Sequence, residues 1–206
     1  DGSGHGARRR LVRGGLRAER RAPAGAGLSM ARYMHLGRAR ITLSGEPARG
    51  LRVGSCQRLA QAGLAGVTAA QAPTLGEAAR TLLRFEPLYA GNYRGQSSYH
   101  EDDQGAWLRF YSISPYNDYN HFVVDSLLSG WLAQLSALTD TPLLAERMDI
   151  EFDAPPYAAR YQGLCSTPVQ FGAATNQLRL SRAQLSLPNR QHCPSTCATR
   201  TRVHRH

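Results

Sequence analysis

The chain contains no lysine: every one of the 25 basic residues in its 206 is arginine. It has no uninterrupted run of about 18 apolar residues, which excludes a membrane-spanning helix, and its arginine-rich start lacks the apolar stretch of a secretory signal peptide. Cysteine is sparse. Cys56, Cys165, Cys193 and Cys197 are too few and too unevenly spaced for a disulfide framework in a chain of this length, so a reducing, cytoplasmic setting is expected. Gly-x-Ser-x-Gly, Gly-x-x-x-x-Gly-Lys, His-Glu-x-x-His and the dinucleotide fingerprint are all absent, which removes the common catalytic motifs. Position 1 is Asp and not Met, so the chain is expected to be a fragment or a processed form.

The net charge of +10 sits at the two ends. Residues 1–40 carry ten arginines against Asp1 and Glu19, residues 190–206 carry four arginines and no acid, and the span 41–189 carries eleven arginines against thirteen acids. The middle is therefore slightly acidic, and the basic balance that suggests a nucleic-acid partner belongs to two tails. Residues 1–27 have only Leu11, Val12 and Leu16 as larger aliphatics, too few to offset the entropy of ordering. The reading is a disordered tail over 1–27, one folded domain over 28–189, and a second disordered tail over 190–206. Arginine tails bind phosphates without reading sequence, and neither tail has an aromatic residue to stack on bases. A basic nucleic-acid-binding protein acting through these tails is the alternative reading. Cys193, Cys197, His204 and His206 are zinc-ligand types, but Cys-x3-Cys followed by His-x-His departs from the usual ligand spacing, so no metal and no cofactor is expected.

Ser29 is a candidate N-cap for a helix through MARYMHLGRARITL, and a second helical stretch follows in SCQRLAQAGLAGVTAAQA. The strongest local signal is PTLGEAARTLLRFEPLY. There Thr74 and Glu77 form a capping box, and Leu75, Ala78, Ala79, Leu82 and Leu83 line one face. From Asn92 the period changes to two, and NYRGQSSYH and AWLRFYSIS flank the turn-forming EDDQG, which predicts a β-hairpin. A long amphipathic helix over 121–139 comes next, with Val124, Leu127 or Leu128, Trp131, Leu135 and Leu138 recurring every three or four residues. RMDIEFDAP alternates Met148, Ile150 and Phe152 against a wet face of Arg147, Asp149, Glu151 and Asp153. A short helix from Pro156 and two short strands around GAATN complete the domain. The expected class is α+β: N-terminal helices plus a mainly antiparallel sheet of four or five strands with helices packed on one face.

Next to His100, the acidic trio Glu101, Asp102 and Asp103 falls in the hairpin turn, where charge is expected for solubility, and Cys165 reads as a packed small side chain. Neither they nor His121 form a catalytic set, so no enzyme is expected. The stretch RFYSISPYNDYNHF concentrates aromatic, amide and imidazole groups at a strand-to-helix junction, the composition of a ligand pocket. Arg109, Tyr111, Tyr116, Tyr119, His121 and Phe122 are the candidate ligand-binding residues. Leu128, Trp131 and Leu135 are the candidate dimer contact, with a stripe facing the sheet as the competing placement.

The succession LSMARYMHL, GEPARGLRVGSCQRLAQAGLAG, APTLGEAARTLLRFEPLY and MDIEFDAPPYAARYQGLCSTPVQFGAATNQLRLSRAQLSLP resembles, from Leu28 to Pro188, the N-terminal effector-sensing domain of one branch of the AraC-type bacterial transcription regulators. This branch includes regulators of ornithine and arginine utilisation and differs from the cupin-type domain of the arabinose regulator. The resemblance implies a homodimer that senses a small-molecule effector and reaches DNA only through a C-terminal helix-turn-helix domain, with no membrane partner. That second domain is expected to be missing here, because the text after LSLPN turns into Arg, Cys, His, Thr and Pro without periodicity. Both tails have the composition of a GC-rich gene read out of frame.

Overall fold

Two segments of alternating polarity build the hairpin that the sequence predicts. In the computed structural model, which describes residues 45–89, 95–112, 118–139, 142–143 and 145–192 and isolated positions Gly37, Ala39 and Leu43, strand β1 (Gly95–Asp102) pairs antiparallel with β2 (Gly105–Ser112). The turn is tighter than EDDQG suggests. Asp102 Oδ1 accepts the N–H groups of both Gln104 and Gly105 at 2.9 Å, so only Asp103 and Gln104 lie between the strands. Apart from the three isolated positions, the helix expected after Ser29 lies outside the described residues, as do both tails except Arg190, Gln191 and His192.

Strands β3 (Arg147–Ile150), β4 (Val169–Phe171) and β5 (Asn176–Ser181) complete a sheet of order β1-β2-β5-β3-β4. All pairings are antiparallel except β3 with β4. The segment after β4 does not fold back on it as a hairpin. Gly172 at φ +66° opens a bend that carries the chain around the end of β3, where Glu151 N–H is held by Asn176 Oδ1 at 3.0 Å, so β4 and β5 flank β3.

One face of this sheet is covered by helices: α1 (Arg49–Ser55), α2 (Gly63–Ala70) after a 3-10 turn over Leu59–Ala62, α3 (Leu75–Tyr89), α4 (Asp118–Ser136), α5 (Ala159–Cys165) and the short α6 (Arg182–Leu185). The stretch expected as one helix through SCQRLAQAGLAGVTAAQA is broken, because Arg58 is extended and Gly63 takes φ +56°. Helix α3 begins as its sequence promises, with Thr74 Oγ1 accepting Glu77 N–H at 3.3 Å and Leu75, Ala78, Ala79, Leu82 and Leu83 all buried. On the sheet, Ala106, Leu108, Phe110, Met148, Ile150, Leu178 and Leu180 meet these helices and form the core.

The opposite face departs from expectation. Asp149, read as wet, is buried. Arg147 Nε pairs with its Oδ1 at 2.7 Å, Gln177 Nε2 donates to its Oδ2 at 2.7 Å, and Arg109 Nε donates to Gln177 Oε1 at 2.8 Å. The guanidinium groups of Arg147 and Arg179 lie 5.3 and 4.6 Å from the Trp107 ring. Long side chains thus roof this face where no described helix does.

Helix α4 carries a second correction. Leu128 and Leu135 are 0% exposed and Trp131 4%, all inside the core of this one chain. The apolar stripe faces inward, and these three residues have no surface to offer a second subunit. Helix α1 crosses α4 closely because Gly50 and Gly54 stand where the two backbones meet. A Cβ on Gly54 would strike Ser129 Oγ and come within 2.5 Å of Ser126 O and 2.8 Å of Gly130 N. Alanine at a helical glycine ordinarily gains about 1 kcal/mol, whereas overpacking against backbone costs about 1–3 kcal/mol. Gly54→Ala is therefore expected to lower stability by up to about 2 kcal/mol in urea denaturation; a stabilised variant would mean that α1 does not lie this close.

The described chain ends against the helices. Asn189 Nδ2 donates to the carbonyls of Ala69, Ala70 and Ala72, capping α2 from outside. Arg190 N–H donates to Leu138 O at 2.9 Å, Gln191 Nε2 to Ala137 O at 3.0 Å, and His192 Nδ1 lies 2.7 Å from Gln71 O.

Candidate functional site

Of the six residues expected to share a pocket, the four whose side chains are described do not come together: the pleat of β2 separates Arg109 and Tyr111 from His121 and Phe122 on α4. Arg109 and Tyr111 point away from the helices: Arg109 is half-buried against Gln177, and Tyr111 is 63% exposed. Tyr116 lies outside the described residues, and so does the side chain of Tyr119. Phe122 is buried, its ring in the space that a side chain on Gly37 would need. His121 joins other aromatics, stacking on Phe152 with centroids 4.1 Å apart and planes 29° apart.

One turn beyond His121, α4 places a carboxylate in the interior. Asp125 is 1% exposed. Its Oδ2 accepts a hydrogen bond from Tyr157 at 2.9 Å and its Oδ1 accepts one from Tyr161. Gly50 of α1 leaves room for it, since a Cβ there would come within 2.7 Å of Asp125 Cβ. The tyrosine rings stack 6.4 Å apart, Tyr161 meets Phe171 edge-on at 5.2 Å, and Phe171 lies 6.3 Å from Phe152. Burial pushes the Asp125 carboxyl up to about 7, against the two tyrosine hydrogen bonds that hold it down. Burial and the nearby carboxylate likewise raise the Tyr161 hydroxyl, and they push the Cys165 thiol to about 11. Cys165 therefore stays a thiol at neutral pH, and the tyrosines act as donors, not bases. The cluster ties α1, α4, α5 and the ends of β3 and β4 around one titratable group.

A different site opens between α3 and β1. It is a groove of about 420 Å³ lined by Arg80, Leu83, Arg84, Ser97, Ser98, Tyr99 and Glu101. Glu101 sits between Arg80 and Arg182, each at 2.5 Å, and accepts the Tyr99 hydroxyl at 3.1 Å. Burial and the Glu101 hydrogen bond push the Tyr99 hydroxyl up to about 12. Among the described residues no group of three or more His, Cys, Asp or Glu is arranged to hold a metal ion, and no helix is long and apolar enough to cross a membrane.

Residues 4–189 match the family model described as the arabinose-binding domain of AraC transcription regulators, N-terminal. The chain belongs to that family. Its match begins within the arginine-rich segment and ends at Asn189, the residue that caps α2. Among solved structures, this AraC-type domain is similar to the transcriptional regulator CdpR from Pseudomonas aeruginosa, with a TM-score of 0.64 and 20% identity over 90% of this chain. It spans 58% of that regulator's length. No curated protein matches. The family and fold identify a regulatory, ligand-sensing domain, as the resemblance in the sequence implies.

Asp125, Tyr157 and Tyr161 did not stand out in the sequence as candidate site residues. The signal was present in part: in HFVVDSLL, Asp125 lies three positions before Leu128, on the apolar face of the helix. A lone carboxylate at such a position requires buried partners. Nothing in the chain text pointed to tyrosines 32 and 36 residues later as those partners.

Proposed function

We propose that this domain binds a small-molecule effector, dimerises, and passes its ligand state to a DNA-binding domain in the longer regulators of the family, acting in the cytoplasm and without catalysis. The family match across residues 4–189 carries the reading. The packing supplies a route. Helix α4 touches α1 through Gly50 and Gly54 and α5 through Asp125, and the turn that follows it offers Leu138 and Ala137 carbonyls to Arg190 and Gln191. A displacement of α4 and that turn therefore reaches Arg190 and Gln191. An effector drives such a displacement only by binding one arrangement more tightly than the other.

Thermal-shift screening of the full chain against metabolites, followed by sedimentation of each hit with and without ligand, tests this reading. A ligand at about 100 times its Kd adds about 3 kcal/mol and raises the Tm of a domain of this size by roughly 5–10 °C. The expected result is one such ligand and a dimer whose association constant changes with it. A broad panel with no hit, together with a monomer at every concentration, would overturn the reading.

A further inference from the structure

We infer that the groove between α3 and β1 binds a small organic anion, a carboxylate or phosphate ester that also carries a hydroxyl or amino group, with its charge at Arg84 and its polar end at Ser97 and Glu86. The inference deepens the sensing reading, on which it rests for the role of that anion as effector.

The strands themselves motivate it. On β2 the residues turned toward the helices are Ala106, Leu108 and Phe110, and their partners across the ladder on β1 are Glu101, Tyr99 and Ser97. A strand side covered by a helix ordinarily buries apolar residues. Here the covered side of the edge strand is polar, and an open groove stands where packed core would be. At about 420 Å³ its size lies within the range of small-ligand sites.

Charge selects the ligand's sign. Arg80 and Arg182 share the single carboxylate of Glu101, and Arg80 also lies 5.2 Å over the Tyr99 ring. Arg84 lines the same groove and, among the described residues, has no ion-pair partner. Arg84 thus adds a permanent charge that Glu101, already shared by Arg80 and Arg182, does not offset, and its forked donor geometry suits a carboxylate or phosphate.

Unmet hydrogen bonds select the ligand's other end. Glu86, one turn after Leu83 on α3, is 6% exposed, and its Oε2 has no hydrogen-bond partner among the described residues. Ser97 Oγ, which belongs to a lining residue, is likewise buried and makes no hydrogen bond of good geometry, with the Glu86 carboxyl as its polar neighbour. Buried polar atoms without well-formed hydrogen bonds are rare in folded proteins, and Ser97 on the groove wall, with Glu86 beside it, marks where a donor and acceptor are wanted. Burial raises the Glu86 carboxyl, and Ser97 close by holds it down in part.

The test is titration of the full chain, followed by amide NMR and calorimetry, with butyrate, 4-hydroxybutyrate, inorganic phosphate and glycerol 3-phosphate. The expected result is that a hydroxylated anion, carboxylate or phosphate, shifts the Leu83, Ser97 and Ser98 amides and binds about tenfold tighter than its plain counterpart. Arg84→Ala, at an exposed position, is expected to keep the Tm of the free protein and weaken binding about tenfold or more. Glu86→Gln is expected to reduce the preference for the hydroxylated probe while keeping the amide shifts at Leu83. Equal affinity of wild type and Arg84→Ala for every probe, or no binding of any probe at millimolar concentration, overturns the proposal. A metabolite from the wider screen that stabilises wild type and Arg84→Ala equally removes the groove and leaves the sensing reading standing; a blank wider screen removes both.

Discussion

Leu128→Glu combined with Leu135→Glu is expected to abolish the folded state and not merely to dissociate a dimer. Both leucines are 0% exposed, within the core formed where the sheet meets its helices. Placing one ionised carboxylate in such a site without a partner costs several kcal/mol, besides the lost burial of about 2–3 kcal/mol per leucine. Two such sites exceed the total stability of about 5–15 kcal/mol that a domain possesses. Far-UV circular dichroism and urea titration at pH 7 should show loss of the cooperative transition. The contrasting pair, Leu64→Glu with Val67→Glu on the solvent side of α2, where the residues are 70% and 59% exposed, should melt close to wild type. A cooperatively folded monomer from the Leu128 and Leu135 double variant would restore the interface placement and refute the core described for α4.

That error of placement shows what periodicity can decide. The repeat Val124, Leu128, Trp131, Leu135, Leu138 correctly marks one apolar face on a long helix, but a face toward a partner and a face toward the sheet leave the same pattern. The hairpin, α3 and the class of the domain were legible because each rests on local chemistry: alternation in β2, the Thr74 cap, the turn at Asp102. The pairing of β4 and β5 on either side of β3 was not, since a bend that closes a hairpin and one that carries a strand past its neighbour read alike. Asp149 was misread for a related reason. Alternation gives the side of the sheet but not what covers it, and Arg147, Gln177 and Arg109 cover this side from two other positions along the chain and one adjacent one. The candidate site suffered most. Residues 109 and 122 are close in sequence, yet the pleat of β2 turns Arg109 to the side of the sheet away from the described helices while Phe122 lies in the helix layer. The polar side of β1 could have been found by writing Ser97, Tyr99 and Glu101 against the apolar Phe110, Leu108 and Ala106 across the predicted hairpin.

Asp125→Asn is expected to flatten the dependence of stability on pH between about 4 and 7. An ordinary aspartate ionises near 3.9, whereas burial between α1, α4 and α5 lifts this one to about 7. Across that window the folded chain keeps a proton that the unfolded chain has given up, so stability falls as pH rises and levels off above about 7. Between pH 5 and 8 the loss attributable to Asp125 amounts to about 3 kcal/mol at most, on the order of a third of a typical domain's stability. Asp102 acts in the opposite sense and elsewhere: its pairing with Arg179 holds it down to about 2, so its contribution fades only below the ordinary carboxylate range. Asparagine at 125 keeps the shape and one acceptor for the tyrosines but carries no titrating proton. Urea denaturation at half-unit steps from pH 4.5 to 8 should therefore show a falling line for wild type and a distinctly shallower one for Asp125→Asn, the residual slope coming from Glu86, whose carboxyl burial also raises. Tyr161→Phe supplies a second reading, because it removes a donor that stabilises the carboxylate and should carry the decline to higher pH. If wild type and Asp125→Asn decline in parallel, the proton is held by another group and Asp125 is not the titrating centre of the helix layer.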